Sequence, residues 1–206
     1  MFSRSRLNMM VLLIAAWLAG GCTTVRTTDP PKTATEQFLT SVAAANAVRQ
    51  LTADPLRGRR IFVDDTYFPT RENQFTLGEI RAHLLIAGVR LTTKREEAEI
   101  ILEPRSGGIG IDRYEFLLGI PSLPLGTVAS AAGLPAGTIT TPELALIKNT
   151  RQWGTAGVAF VAYWAETGEI ITSSGPETGR SYREDWWFFG WGPNSVSNIP
   201  PTQPLE

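Results

Sequence analysis

Apolar positions repeat along this chain with two periods, and each period predicts a different kind of element. Phe38, Val42, Ala45, Val48 and Leu51 recur at steps of three and four, which predicts a helix from about Thr33 to Thr52. Thr33 and Glu36 have capping-box spacing at its start, and Asp54-Pro55 closes it. Arg60-Ile61-Phe62-Val63 reads as a short strand running into Asp64-Asp65. Beyond Pro69 a second helix is expected to begin at Thr76, with Glu79 completing the capping box and Phe75 and Ile80 forming a hydrophobic staple. Leu77, Ile80, Leu84 and Ala87 form its apolar face, and Gly88 ends it. Val89–Thr92 and Glu99–Glu103 read as strands joined by a charged turn.

After Glu103 the pattern loosens. Ser106-Gly107-Gly108-Ile109-Gly110 reads as a flexible exit from the strand. From Leu117 to Pro142 no residue is charged, while Pro121, Pro124 and Pro135 forbid a long helix. Such a stretch is either a tucked loop or a segment with a function or a partner. Thr141-Pro142-Glu143 has the residues of a helix start, and that helix is expected to end by Gly154. Val158–Ala165 is apolar on both faces and reads as a central strand; Glu166–Glu169 turns it into Ile170–Thr172 as a hairpin. Asn194 onward is polar and proline-rich and is expected to be disordered.

The amino terminus has its own pattern. Arg4 and Arg6 precede an apolar run from Met9 to Leu18, and Ala19-Gly20-Gly21 leads to Cys22, the only cysteine. This is the layout of a secretory signal, and its junction resembles the lipobox of bacterial lipoproteins, although Ala19 stands where that pattern prefers Leu. The run is about half the length that a membrane-spanning helix needs. Residues 1–21 are thus read as a lipoprotein signal and 22–33 as an acylated cysteine with a polar tether; 34–192 would be one globular domain and 193–206 a tail. Thr23 stands where an Asp would resemble an inner-membrane retention signal, which favours the outer membrane, facing the periplasm. Membrane lipid through acylated Cys22 is the first partner expected.

Composition narrows the classes of function. Loss of residues 1–21 removes Arg4 and Arg6, so the net charge moves from −1 to −3. A mildly acidic chain without a basic block argues against nucleic acid. With Cys22 acylated, no thiol remains for a disulfide or a thiolate site.

Candidate chemistry is sparse. His83 is the sole histidine, set mid-helix beside Leu84, and reads as a structural or surface residue. Asp64, Asp65, Asp112 and Glu115 could form an acid/base pair or bind a hard cation, but Asp is equally a turn residue. The glycines between Arg105 and Arg113 lack the G-K-[ST] ending of a phosphate loop. The sharper feature is Trp186-Trp187-Phe188-Phe189-Gly190-Trp191, which carries three of the six tryptophans. In a strand Trp186 and Phe188 would face one side, and Trp187, Phe189 and Trp191 the other. The run could be core, a partner contact or an interfacial element.

The segments RTTDPPKTATEQFL, RIFVDDTYF, AEIILEPRSGGIGIDR, LLGIPS, TPELALIK and SSGPETGRSY resemble a family of bacterial envelope lipoproteins known only as a domain of unknown function. The resemblance spans most of the chain beyond Cys22 and implies location and domain extent, without an activity to carry over. A looser likeness is architectural. The helix–strand–helix–strand–strand order looks like the α/β domain of envelope assembly lipoproteins such as the curli-secretion lipoprotein, and like the amino-terminal domain of the Tol-system propeller protein.

The expected fold is a single α+β domain, with a mixed sheet of about five strands and helices mainly on one face. The expected role is a lipid-anchored, non-catalytic envelope lipoprotein acting as an interaction or assembly module. Its partner would be another envelope protein or a second copy, and no cofactor is expected. The candidate surface combines Leu117, Leu118, Ile120, Leu123 and Leu125 with Trp186, Trp187 and Trp191. The alternative is an envelope enzyme or a binder of glycans or small ligands that uses Asp64, Asp65, Asp112 or Glu115.

Overall fold

A computed structural model of the protein describes residues 32–68, 70–122 and 141–201. Helix α1 (Ala34–Val48) leads through a 3₁₀ turn at Asp54–Leu56 into β1 (Arg60–Val63). Helix α2 (Thr70–Ile86) follows, then β2 (Arg90–Thr92) and a second 3₁₀ turn at Arg95–Glu97. Four antiparallel strands complete the chain: β3 (Ile100–Ile120), β4 (Leu144–Trp164), β5 (Ile170–Phe188) and β6 (Trp191–Ser197). They form one mixed sheet in the order β2-β1-β3-β4-β5-β6, six strands where about five were expected. β1 lies between β2 and β3 and is parallel to both.

Both helices cover the same face. Alternate residues of β4 point to it, and Val158, Phe160 and Ala162 pack there with Ile61, Ile100 and Leu102. Val48 of α1 and Ile80 and Leu84 of α2 belong to the same apolar cluster. Further along β4 and β5 the spacing tightens to backbone contact. A Cβ at Gly154 would stand 2.5 Å from the Leu39 carbonyl oxygen, and one at Gly179 would stand 2.0 Å from that of Ala43. Glycine at these positions lets the alanine face of α1 (Ala43, Ala44, Ala47) lie directly on the sheet.

The structure alters five of the sequence expectations. α2 begins at Thr70, so Thr76 is a buried residue inside the helix and not its cap. Gly88 does end it, with φ 86°. The glycine run 106–110 is not an exit: β3 continues through it, with a register shift between Ser106 and Gly108, and Gly107 lies against the backbone of Gly157. Leu117–Ile120 is likewise strand, pairing with Leu144–Lys148. Thr141-Pro142-Glu143 leads into a strand and not a helix, because Leu144 onward pairs with β3 and Ile147 onward also with β5; tertiary pairing overrides the local capping signal. Finally, Asn194–Ser197 is not disordered, since it pairs with Arg183–Trp186, and Ile199 beyond it is buried. The hairpin at Glu166–Glu169 is as expected, with Gly168 at φ 74°.

Candidate interaction surface

The sheet continues past the amino-terminal end of α1, and its composition changes there row by row. Three rows next to the helix carry charge. In the first, Arg113, Gln152 and Arg183 are aligned across β3, β4 and β5. Turned with its oxygen toward β3, the Gln152 amide accepts from Arg113 Nε and Nη2 at 3.0 and 2.8 Å. Arg183 is only 7% exposed. Its Nε donates to both oxygens of Asp185 at 2.9 Å, and Ser195 Oγ also donates to Asp185. On the opposite face Glu184 accepts from Arg151 Nε at 2.8 Å and from Asn149 Nδ2 at 3.1 Å. Partial burial pushes the Glu184 carboxyl up, but the bonds from Arg151, Asn149 and the Trp186 indole outweigh it and hold the group below the usual range.

Beyond this collar the rows are mainly apolar. Phe116, Asn149, Trp186 and Asn194 align across β3 to β6; the next row is Leu117, Lys148 and Trp187, and the next is Leu118, Ile147, Phe188 and Trp191. Successive rows face opposite sides of the sheet. Trp186 and Phe188 therefore share the helix-free face, with ring centroids 5.9 Å apart and planes 5° from parallel. The β5–β6 corner is Phe189-Gly190, with φ 51° and 81°. Phe189 is 74% exposed and Trp191 82%. Among the described residues of this end, the only charges are Lys148 and Glu143. They pair with each other at 2.9 Å, and the ammonium also lies 5.8 Å from the Trp187 ring centroid.

The structure thus brings together two segments that lie far apart in sequence. Leu117, Leu118 and Ile120 end β3, Trp186 and Trp187 end β5, and Trp191 begins β6, all at one end of the sheet. Leu123, Leu125 and Cys22 lie outside the described residues. Sequence reasoning missed Phe116, Leu144 and Leu146, which are exposed at this same end. The alternation Tyr114-Phe116-Leu118 and Leu144-Leu146 was the available signal, hidden by the helix expected from Thr141.

The carboxylates do not converge. Asp64 closes β1, where its side chain accepts from Thr66 Oγ1 and Arg95 Nη1. The Thr66 hydroxyl, then its amide and Arg95, hold this carboxyl below its ordinary value against partial burial. Asp65 lines a small cavity of about 260 Å³ with Arg81 and Thr92. Asp112 lines a separate trough of about 490 Å³ on β3 and β4, floored by Gly108, Gly110 and Gly157. Leu102 bonds to the Asp64 amide, and Asp112 lies ten positions further along β3, roughly 30 Å at strand rise. Glu115 is across the sheet from Asp112 and pairs with Arg113 at 3.7 Å. Among the described residues no three His, Cys, Asp or Glu side chains cluster to hold a metal. His83 is structural: its Nε2 lies 2.9 Å from the Leu51 carbonyl oxygen, tying α2 to the segment after α1.

One family model matches residues 17–201, that of a family of unknown function, DUF6655. No curated protein matches the chain.

Proposed function

The chain belongs to that family of unknown function, and from this premise we propose that it is a lipid-anchored, non-catalytic envelope lipoprotein acting as an interaction module. The apolar end of the sheet carries this reading. Large side chains stand exposed there on both faces and at the corner, beside a buried and well-paired charge network. Exposed apolar surface of this kind marks a protein or membrane contact. Acylation at Cys22, with the protein held at the outer membrane facing the periplasm, completes the proposal. The dispersal of Asp64, Asp65, Asp112 and Glu115 supports the non-catalytic form over the alternative of an enzyme or glycan binder.

Two measurements test it. Mass spectrometry of the protein from a two-membrane host should show acyl chains on Cys22 as the first residue, and the protein should fractionate with the outer membrane. An unmodified thiol, or a soluble protein, would refute the anchor. A null strain complemented fully by Asp64→Ala/Asp112→Ala would support the non-catalytic role, whereas lost complementation by a folded double variant would overturn it.

A further inference from the structure

The geometry points to a specific occupant for the apolar end of the sheet: the interface of the lipid bilayer, entered by the β5–β6 corner and the ends of β3 and β4. This deepens the proposed function and rests on it in one respect, that Cys22 brings the protein to the membrane.

Four observations favour lipid over a protein partner. First, the apolar groups are not confined to one face. Leu117 and Trp187 point to the helix side, Leu118 and Phe188 to the other, and Phe189 and Trp191 stand at the corner. A docked protein covers one face, whereas a bilayer surrounds a wedge. Second, Phe189 is placed against local preference. A two-residue corner with φ positive at both residues favours Asn and Gly. A bulky side chain gains nothing from this conformation, and at 74% exposure Phe189 packs little within the fold. An external apolar contact accounts for it.

Third, polarity is layered as at a membrane surface. The Arg151–Glu184 and Arg183–Asp185 pairs lie at one level. Trp186, whose indole reaches Glu184, is at the border, and the rings of Trp187 and Trp191 lie beyond it. Indoles suit the headgroup level, with an apolar body and one polar handle. From Phe116 to Ile120 these rows span about 13 Å at strand rise. Lys148 has the reach to keep its ammonium among the headgroups.

Fourth, α1 begins on the side of the sheet that leads to this end. Leu39 touches the sheet beside Gly154 and Ser181, while Gln50 and Thr52 bond to Thr178 and Ser174, further from the corner. The amino terminus of α1 therefore points toward the apolar end. From Ala34 back to Cys22 an extended chain reaches at most about 40 Å, so a bilayer holding the acyl chains lies within reach of the wedge. β3 ends and β4 begins there, at Ile120 and Leu144, and no charge occurs in the sequence from Phe116 to Pro142.

The test uses the acylated full-length protein in phosphatidylethanolamine/phosphatidylglycerol vesicles, with and without brominated acyl chains. Tryptophan emission should be quenched by the brominated lipid. Most of that quenching should disappear in Trp187→Phe/Trp191→Phe, whose circular dichroism should match the parent. Phe189→Asn, which suits the corner better, should fold and yet lose quenching of the remaining tryptophans. Protein that sediments with vesicles but is not quenched would overturn the wedge and leave the anchor standing. A Cys22→Ala protein still quenched at high lipid would uphold the wedge even if mass spectrometry showed no acylation. Tryptophans shielded from acrylamide but not quenched by brominated lipid would assign the surface to a second copy and overturn the proposal.

Discussion

Replacing Gly179 by Ala should separate α1 from the sheet. A Cβ built there lies 2.0 Å from the Ala43 carbonyl oxygen, 2.3 Å from the Ala47 nitrogen and 2.9 Å from the Asn46 carbonyl carbon. All three are helix backbone, so no rotamer change relieves the overlap. The helix must retreat by more than an ångström to reach ordinary contact distance. That movement loosens the packing of Ala43 and Ala44 on Ala156. It also stretches the bonds from Ser181 Oγ to the Leu39 oxygen (2.6 Å) and from Asn46 Nδ2 to the Arg180 oxygen (3.0 Å). Overpacking costs about 1–3 kcal/mol, and each weakened hydrogen bond about 1 kcal/mol more. A total near 4 kcal/mol lowers the melting temperature of a chain this size by roughly 8–16 °C. Gly110→Ala is the control, because no atom lies within 4 Å of its Cβ; it should be neutral or stabilising by up to about 1 kcal/mol. Thermal melts by circular dichroism decide the matter. If Gly179→Ala melts within a degree or two of Gly110→Ala, the close approach of α1 is wrong.

Phe189→Asn should stabilise the fold by about 1 kcal/mol, because the left-handed conformation penalises Phe more than Asn; an unchanged or lower urea midpoint would count against that conformation. Phe160→Ala, at a side chain 1% exposed in the main core, should cost about 3–5 kcal/mol in urea titration, and a loss under 1 kcal/mol would remove it from the core. Asp64 has a depressed carboxyl pKa, so the native state binds fewer protons than the unfolded chain just below the ordinary carboxylate value of about 3.9. Its contribution is present above that value and lost as pH falls through the depressed one. Urea midpoints between pH 6 and pH 3 should therefore decline less in Asp64→Asn than in the parent, and parallel curves would exclude the linkage.

Local signals were reliable where the element is decided by its own residues. β1, the apolar face of α2, the Gly88 stop and the hairpin at Glu166–Glu169 are legible, because period and turn chemistry there agree with the final packing. In α1 the expected stripe holds only at Ala45, Val48 and Leu51, since Phe38 is exposed and Leu39, Ala43 and Ala47 lie on the sheet instead. The pairing of Trp186 with Phe188 on one face follows from strand alternation alone, but Trp191, expected on the side of Trp187, stands opposite Phe188 because the chain turns at Phe189-Gly190. Errors gathered where one signal fits two structures. Thr141-Pro142-Glu143 suits a helix start or a strand start, and only β3 and β5 on either side choose the strand. The glycines at 107–110 read as flexible until Gly157 is found facing them across the ladder. Asn194–Ser197 lacks apolar alternation, and it is ordered by the edge that β5 offers it.

What the sequence alone determined about this protein is the inventory: a signal-like amino terminus ending at one cysteine, two amphipathic helices, an uncharged stretch and an aromatic run. That Asp112 and Glu115 lie on opposite faces follows only once β3 is seen to continue through them. The tertiary structure decided where those parts meet. Strand pairing sets Leu118 of β3 in one row with Phe188 of β5 and Trp191 of β6, and the direction of α1 aims the amino terminus at that same end. Register between distant strands depends on the sum of many weak pairings. No single segment carries that sum, so the surface emerges only when the sheet is assembled.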